Sequence, residues 1–294
     1  MNQEKEVVKV VSVDKIRGGL YGLACGDALG ATVEFMSKAE IKNSYGMLRD
    51  IIGGGWLNLR PGDWTDDTEM TLAVAEGIIG STIRAVFHTY DRVKDWHKAA
   101  EQVHNYHGMT AGNGALMRTL PLAFAYKDTE VLYISCIEVA RMTHWDPEAG
   151  LTCYLYCLTA QSCFKGLEFL EAYNNALTLL QELNPAGEIG DAAKGLVDKF
   201  TKVTSWSEKA LKPTGYTVDT LSCALWCVAT TTTFEQAVVK AVNLGGDADT
   251  VGAVAGGLAG IIYGYEGIPA RWIGKFGDWQ NKRLENVVEA LMRL

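Results

Sequence analysis

The stretch Gly245-Gly246-Asp247-Ala248-Asp249-Thr250-Val251-Gly252-Ala253-Val254-Ala255-Gly256-Gly257-Leu258-Ala259-Gly260 sets the architecture of this chain. Beyond Thr250 it carries almost no side-chain bulk. Each glycine in a helix costs about 1 kcal/mol relative to alanine. Close approach of a neighbouring backbone compensates that cost, so the stretch reads as a helix threaded through the centre of an all-α domain. The apolar run over residues 251–263 is too short and too rich in glycine to span a membrane.

Outward from this helix, strand signals are few and helical periodicity dominates, as in Leu72-Ala73-Val74-Ala75-Glu76-Gly77-Ile78-Ile79 and over residues 151–164. Pro61, Pro121, Pro147, Pro213 and Pro269 stand where helices should start or stop. Gly53-Gly54-Gly55 and Pro61-Gly62 flank Trp56 and predict an irregular loop, and residues 184–195 read as a soft region between two helices. No linker demands a boundary and no repeat is present, so a single domain is expected over residues 1–294, with residues 1–13 as an N-terminal extension. The chain has 294 residues, 48% of them hydrophobic and 21% charged, enough for a large core. A net charge of −8 argues against nonspecific nucleic-acid or anionic-membrane binding. The charged N-terminus lacks the apolar core of a signal peptide, and a cytoplasmic protein is expected. The 7 cysteines include no Cys-x-x-Cys pair and read as buried helical thiols. Trp206, Trp226, Trp272 and Trp279 read as core residues.

Two short acidic clusters carry the chemistry: Thr65-Asp66-Asp67-Thr68 and Gly246-Asp247-Ala248-Asp249-Thr250. Each opens a run of small apolar residues. Asp and Thr are favoured N-caps, and Asp66 with Glu69 resembles a capping box. A cap needs one acceptor, however, and both clusters exceed that need in similar form. If the two helix openings converge, they offer carboxylates and hydroxyls to one point, the all-oxygen set favoured by Mg²⁺ and Mn²⁺. Two ions there would offset the repulsion among the acids.

Two further elements are candidates. Gly22-Leu23-Ala24-Cys25-Gly26-Asp27-Ala28-Leu29-Gly30-Ala31-Thr32-Val33-Glu34 ends on a glutamate that is either a partly buried functional acid or a solvated one, and its glycines allow tight helix packing. Ala111-Gly112-Asn113-Gly114-Ala115-Leu116-Met117-Arg118 is either a plain turn or a glycine-rich loop presenting backbone N–H groups to an anion.

Together these stretches resemble the ADP-ribosylglycohydrolase family, and within it the bacterial dinitrogenase reductase-activating branch. Residues 26–36, 53–70, 112–118, 143–144, 216–220 and 245–253 carry the resemblance in the expected order. It implies a single compact all-α, multi-helix domain with a central cleft holding a dinuclear Mg or Mn centre. By motif, the metal ligands would be Thr65, Asp66, Asp67, Asp247, Asp249 and Thr250. Glu34 and Asp67 would be catalytic, with Glu34 beside the scissile ribose. The loop Gly112, Asn113, Gly114, Ala115 and Leu116 would hold a diphosphate, and His144 and Tyr216 would line the ADP-ribose pocket. The implied partner is an ADP-ribosylated protein or ADP-ribose. The implied reaction is hydrolysis of the N-glycosidic bond between ADP-ribose and a modified side chain, above all arginine.

The chain departs from the family between Thr68 and Gly112. That stretch is shorter, and the family's Gly-Asn-Thr segment with its preceding aspartate has no evident counterpart; residues 91–108 stand in its place. His97, His104 and His107 fall there at i, i+7 and i+10, read as a polar helix face with Trp96 and Tyr106 packing inward. The departure keeps two alternatives open: an ADP-ribose-binding module without turnover, and a two-metal phosphoesterase.

Overall fold

The computed structural model describes residues 2–79, 96–108, 110–183 and 187–294. Its helices, in chain order, are α1 (Asn2–Gly30), α2 (Lys38–Tyr45), α3 (Asp66–Ile79), α4 (Trp96–His107), α5 (Leu120–Ala125), α6 (Thr129–Arg141), α7 (Pro147–Phe164), α8 (Phe169–Glu182), α9 (Glu188–Phe200), α10 (Thr217–Ala229), α11 (Phe234–Val242), α12 (Ala248–Tyr263), α13 (Ala270–Ile273) and α14 (Asp278–Leu291). Among the described residues, extended pairing is confined to isolated bridges, and no helix is long and apolar enough to cross a membrane.

The small-residue helix α12 is buried from Ala248 to Ile261 and packs antiparallel against α1. Gly18, Gly22, Gly26 and Gly30 on α1 face Gly260, Gly256, Gly252 and Ala248 in turn. A Cβ added to Gly26 would lie 2.0 Å from the carbonyl oxygen of Gly252, and one added to Gly256 would lie 2.1 Å from that of Gly22. The two backbones therefore touch along three helical turns, which is the compensation the glycine content calls for. Helix α7, buried around most of its circumference, completes the centre; the Tyr156 hydroxyl donates to the carbonyl of Val254 on α12 at 3.0 Å.

Helix ends are fixed locally. Ser37 and Glu40 form a capping box on α2, and Asp128, Asp146 and Thr233 cap α6, α7 and α11 through their side chains. Of residues 184–195, expected to be soft, 184–186 lie outside the described residues and 188–195 are helical: Ala193, Leu196 and Phe200 turn one apolar face of α9 into the core. Residues 2–13 run into α1 without a break. All seven cysteines are buried and unpaired. Trp226 and Trp272 are core residues, but Trp279 is 63% exposed and rests on Trp64 at the surface.

The antiparallel register has one consequence for function. It sets the C-terminal end of α1, with Asp27 and the following Glu34, beside the N-terminus of α12.

Candidate active site

Three chain segments meet at that point. Asp27 on α1 is wholly buried and takes the place of a side-chain cap for α3. It accepts the backbone N–H groups of Thr65 (2.9 Å) and Thr68 (3.0 Å) and both threonine hydroxyls. The Asp66–Glu69 capping box does not form. Glu69 instead accepts from the Trp64 indole at 2.8 Å and pairs with Arg283. With the cap supplied by Asp27, Asp66 and Asp67 are released from that duty.

The α12 end is positioned by backbone. Gly246 has a φ of 67°, and a Cβ there would lie 2.0 Å from the carbonyl oxygen of Pro213, so only glycine fits the turn. Its N–H donates to Met36 O at 2.8 Å, Phe35 N–H donates to Gly246 O at 2.7 Å, and Asp247 N–H donates to Pro213 O at 3.0 Å. The segments after α1, before α10 and before α12 are thereby locked together.

The result is a cleft of about 620 Å³ lined by Glu34, Asp66, Asp67, Asp247, Asp249 and Thr250 together with Gly112, Asn113, Gly114 and His144. Among the described residues, Glu34, Asp247 and Asp249 each place a carboxylate oxygen within 4.8 Å of the others. Burial, then the charges of Asp67, Asp27, Asp247 and Glu34, push the Asp249 carboxyl far above the usual range. Asp67 is raised by burial and by Asp27, Asp247 and Asp66. Its Oδ1 is buried and has no hydrogen-bond partner. A cluster of crowded acids with an orphaned carboxylate oxygen is costly without positive charge. The donors are all hard oxygens, so the set fits a divalent cation such as Mg²⁺ or Mn²⁺.

Asn113 ties the glycine loop to this cluster. Its amide donates to Asp247 Oδ2 at 2.7 Å and to Thr220 Oγ1 at 2.9 Å, while its backbone N–H donates to Gly215 O at 2.9 Å. His144 lies against the loop: a Cβ on Gly112 would come within 2.8 Å of its Nε2. Arg118 donates to the Thr143 hydroxyl at 2.7 Å, and that hydroxyl lies 2.8 Å from His144 Nδ1. The chain of bonds is satisfied by a neutral ring that accepts at Nδ1 and carries its proton on Nε2, towards the loop. Burial and the nearby Arg118 both lower the imidazole pKa, which favours that neutral form.

Other candidates from the sequence fall outside the cleft lining. Thr65 is buried, and its hydroxyl is engaged by Asp27 and, at 3.2 Å, by Asp67. Ala115 and Leu116 are fully buried and support the loop from beneath rather than face the cleft. Tyr216 is 37% exposed, bridges to Gly112 through the backbone, and donates its hydroxyl to Glu148. His97 faces Glu138 at 3.6 Å and His104 bonds Thr110 at 2.6 Å, while the side chains of Trp96, Tyr106 and His107 lie outside the described residues. Phe35, Pro213, Thr214 and Gly215 line the cleft without having been read from the sequence as site residues. The anchoring role of Asp27 was equally hidden, its one signal being an acid within the glycine-rich, apolar C-terminal half of α1.

Known proteins are similar to this chain along nearly its whole length. The ADP-ribosylglycohydrolase family model matches residues 9–294. The ADP-ribosyl-[dinitrogen reductase] glycohydrolase of Rhodospirillum rubrum is 33% identical over 304 aligned residues, covering 96% of this chain and 96% of that protein. The ADP-ribosylarginine hydrolase Tri1 of Serratia proteamaculans is 30% identical, covering 95% of this chain and 79% of its own length. A solved structure described as an ADP-ribosylglycohydrolase-related protein complex superposes with a TM-score of 0.75 at 32% identity, covering 96% of this chain and 98% of that one. With its cleft built where three helix ends meet and a family match spanning nearly every residue, the chain belongs to the ADP-ribosylglycohydrolase family.

Proposed function

We propose that this protein is a metal-dependent hydrolase that releases ADP-ribose from modified arginine side chains of proteins. The observation that carries the reading is the convergence of Glu34, Asp66, Asp67, Asp247 and Asp249 on one cleft that also holds the Gly112–Gly114 loop and His144. The names of the two 30–33% identical relatives, one of them an ADP-ribosylarginine hydrolase, support arginine as the linkage.

Thr65, Asp66, Asp67, Asp247, Asp249 and Thr250 would hold two divalent cations, Mg or Mn. When bound, these supply charge that polarises a ribose hydroxyl and a water. Glu34 is placed for proton transfer: burial and the neighbouring Asp247 raise its carboxyl pKa, and the Trp56 indole N–H, at 2.6 Å, opposes the shift and fixes its orientation. A carboxyl raised in this way can keep a proton and pass it to the departing guanidine nitrogen as the C–N bond breaks. The bond's electron pair leaves with that nitrogen, water adds at the anomeric carbon, and Asp67 takes up the water's proton. The backbone of Gly112, Asn113 and Gly114, seated on the buried Ala115 and Leu116 and with His144 Nε2–H beside it, receives the diphosphate, and Tyr216 walls the outer end of the ADP-ribose site.

The test is release of ADP-ribose from an ADP-ribosylated arginine protein in the presence of Mn²⁺, compared between wild type, Asp66→Ala and Asp249→Ala. Release by the wild type and a loss of at least about 100-fold in both variants is expected. Wild-type rates in the variants would defeat the metal assignment. Binding of ADP-ribose without release from any linkage would make the protein a binding module, and phosphate release from simple esters would make it a phosphoesterase.

A further inference from the structure

The mouth of the cleft carries an aromatic pair that the reaction above does not use. Phe35 and Trp56 are 68% and 62% exposed, and their ring centroids lie 5.6 Å apart at 45°. Large apolar side chains this exposed are usually scattered singly; here two meet on the rim of a polar site.

Both rings are held out by deliberate backbone geometry. Phe35 has a φ of 64°, in the left-handed region that a bulky residue adopts only under constraint. The constraint is the bond from its N–H to Gly246 O, next to Asp247. The strain returns no core packing, since the ring faces solvent and the cleft. Backbone strain of this kind collects at ligand sites. Trp56 sits on a turn closed by reciprocal backbone bonds between Gly54 and Leu59, at 2.7 and 2.9 Å, and packed so closely on the end of α1 that a Cβ on Gly55 would lie 2.3 Å from Ala31 O. From there its indole N–H reaches Glu34 Oε2.

We propose that Phe35 and Trp56 form the subsite for the modified arginine side chain, receiving its guanidinium against their rings next to Glu34. The inference rests on the arginine reading above. Glu34 lines the cleft beside Asp247 and Asp249, and whatever lies beside Glu34 meets the indole bonded to it and the ring of the next residue. A guanidinium suits that position on both counts: it stacks on aromatic faces, and it is attracted by the adjacent carboxylates. The competing occupant is the adenine ring, which would also stack but gains nothing from Glu34.

Steady-state hydrolysis of an ADP-ribosyl-arginine peptide, with free ADP-ribose as the inhibitor, tests the assignment in Phe35→Gly, Trp56→Ala and Trp56→Phe. Phe35→Gly removes the ring and also relieves the left-handed strain, so its melting temperature should hold or rise. The expected result is a KM at least five-fold higher in Phe35→Gly and Trp56→Ala, with the inhibition constant of ADP-ribose within two-fold of wild type. Trp56→Phe, which keeps a ring and loses the N–H to Glu34, should keep KM within two-fold and lower kcat at least five-fold. Parallel weakening of ADP-ribose in Phe35→Gly and Trp56→Ala would assign the rings to the nucleotide and overturn the proposal, as would an unchanged KM in both. Should the wild type release nothing from arginine, the function proposed above fails, and calorimetry then decides the subsite separately. A wild-type preference for the intact conjugate over free ADP-ribose that Phe35→Gly abolishes upholds it, and equal wild-type affinities overturn it.

Discussion

Asp27 and Thr65 are bonded twice: the buried carboxylate on α1 accepts both the backbone N–H and the hydroxyl of Thr65, each at 2.9 Å. This contact orients the first turn of α3, and with it Asp66 and Asp67. Burial pushes the Asp27 carboxyl up to about 6, against the pull of the bonds from Thr68 and Thr65. Asp27→Asn would turn an NH₂ towards these N–H and O–H donors, of which the Thr65 hydroxyl has Asp67 Oδ2 as a second acceptor at 3.2 Å. A loss of about 3 kcal/mol in urea unfolding is expected, together with weaker Mn²⁺ binding. Unchanged stability would show that α3 is capped by other means.

The contact between α1 and α12 has no slack. Gly26→Ala would place a methyl 2.0 Å from a main-chain oxygen, where no side-chain motion relieves it. Destabilisation of about 3 kcal/mol or more, or failure to fold, is expected. Gly195 on α9 is the control: it is exposed with no heavy atom within 4 Å of an added Cβ, so Gly195→Ala should add about 0.5–1 kcal/mol. Equal effects at the two glycines in chemical denaturation would contradict the packing.

Much of this was legible in sequence because it is local or compositional. The glycines of α12 announced a backbone contact, the paired acids exceeded what a cap needs, and the 3.6-residue periodicity set the fold class. What was not legible depends on which distant segments meet. Nothing in the glycine spacing of α1 alone names Gly252 and Gly256 as its partners, so the register that brings Asp27 to Thr65 emerges only in three dimensions. For the same reason Asp66–Glu69 looked like a capping box, whereas Glu69 turns to Trp64 and Arg283. Trp56 does lie in an irregular loop, as expected, but its bond to Glu34, 22 positions earlier in the chain, joins distant segments and has no local signal.

The acidic cluster makes stability depend on pH in a defined sense. Asp67 and Asp249 titrate above their unfolded range, so at these two sites the metal-free fold holds more protons than the unfolded chain. The contribution of these two acids is most favourable below the unfolded carboxylate pKa of about 4 and is lost as pH rises towards the raised values, opposite in sign to that of Asp63 and Glu69, whose carboxyls are lowered. A bound cation favours the ionised acids and removes the penalty. Thermal unfolding with and without Mn²⁺ should therefore diverge from pH 5 to pH 8. Asp249→Asn should stabilise the metal-free protein at pH 8 by about 1 kcal/mol or more while abolishing the response to Mn²⁺. A metal effect independent of pH would place the cation elsewhere.

Asn113 holds Asp247 towards the cleft. Asn113→Ala removes the 2.7 Å bond without touching a proposed ligand, and outer partners of this kind typically change metal affinity about 10–100-fold. Mn²⁺ titration by calorimetry should show that loss. Retained affinity would mean that Asp247 is oriented by its backbone alone.

The central claim, that the two acidic helix ends form one catalytic metal site acting on ADP-ribosyl-arginine, is tested most directly by a single assay. ADP-ribose released from an arginine-modified protein is measured for wild type in Mn²⁺, for wild type in excess chelator, and for Asp249→Asn in Mn²⁺. Release in the first sample, with rates at least about 100-fold lower in the other two, is predicted. Equal release in all three, or none in the first, would contradict the account.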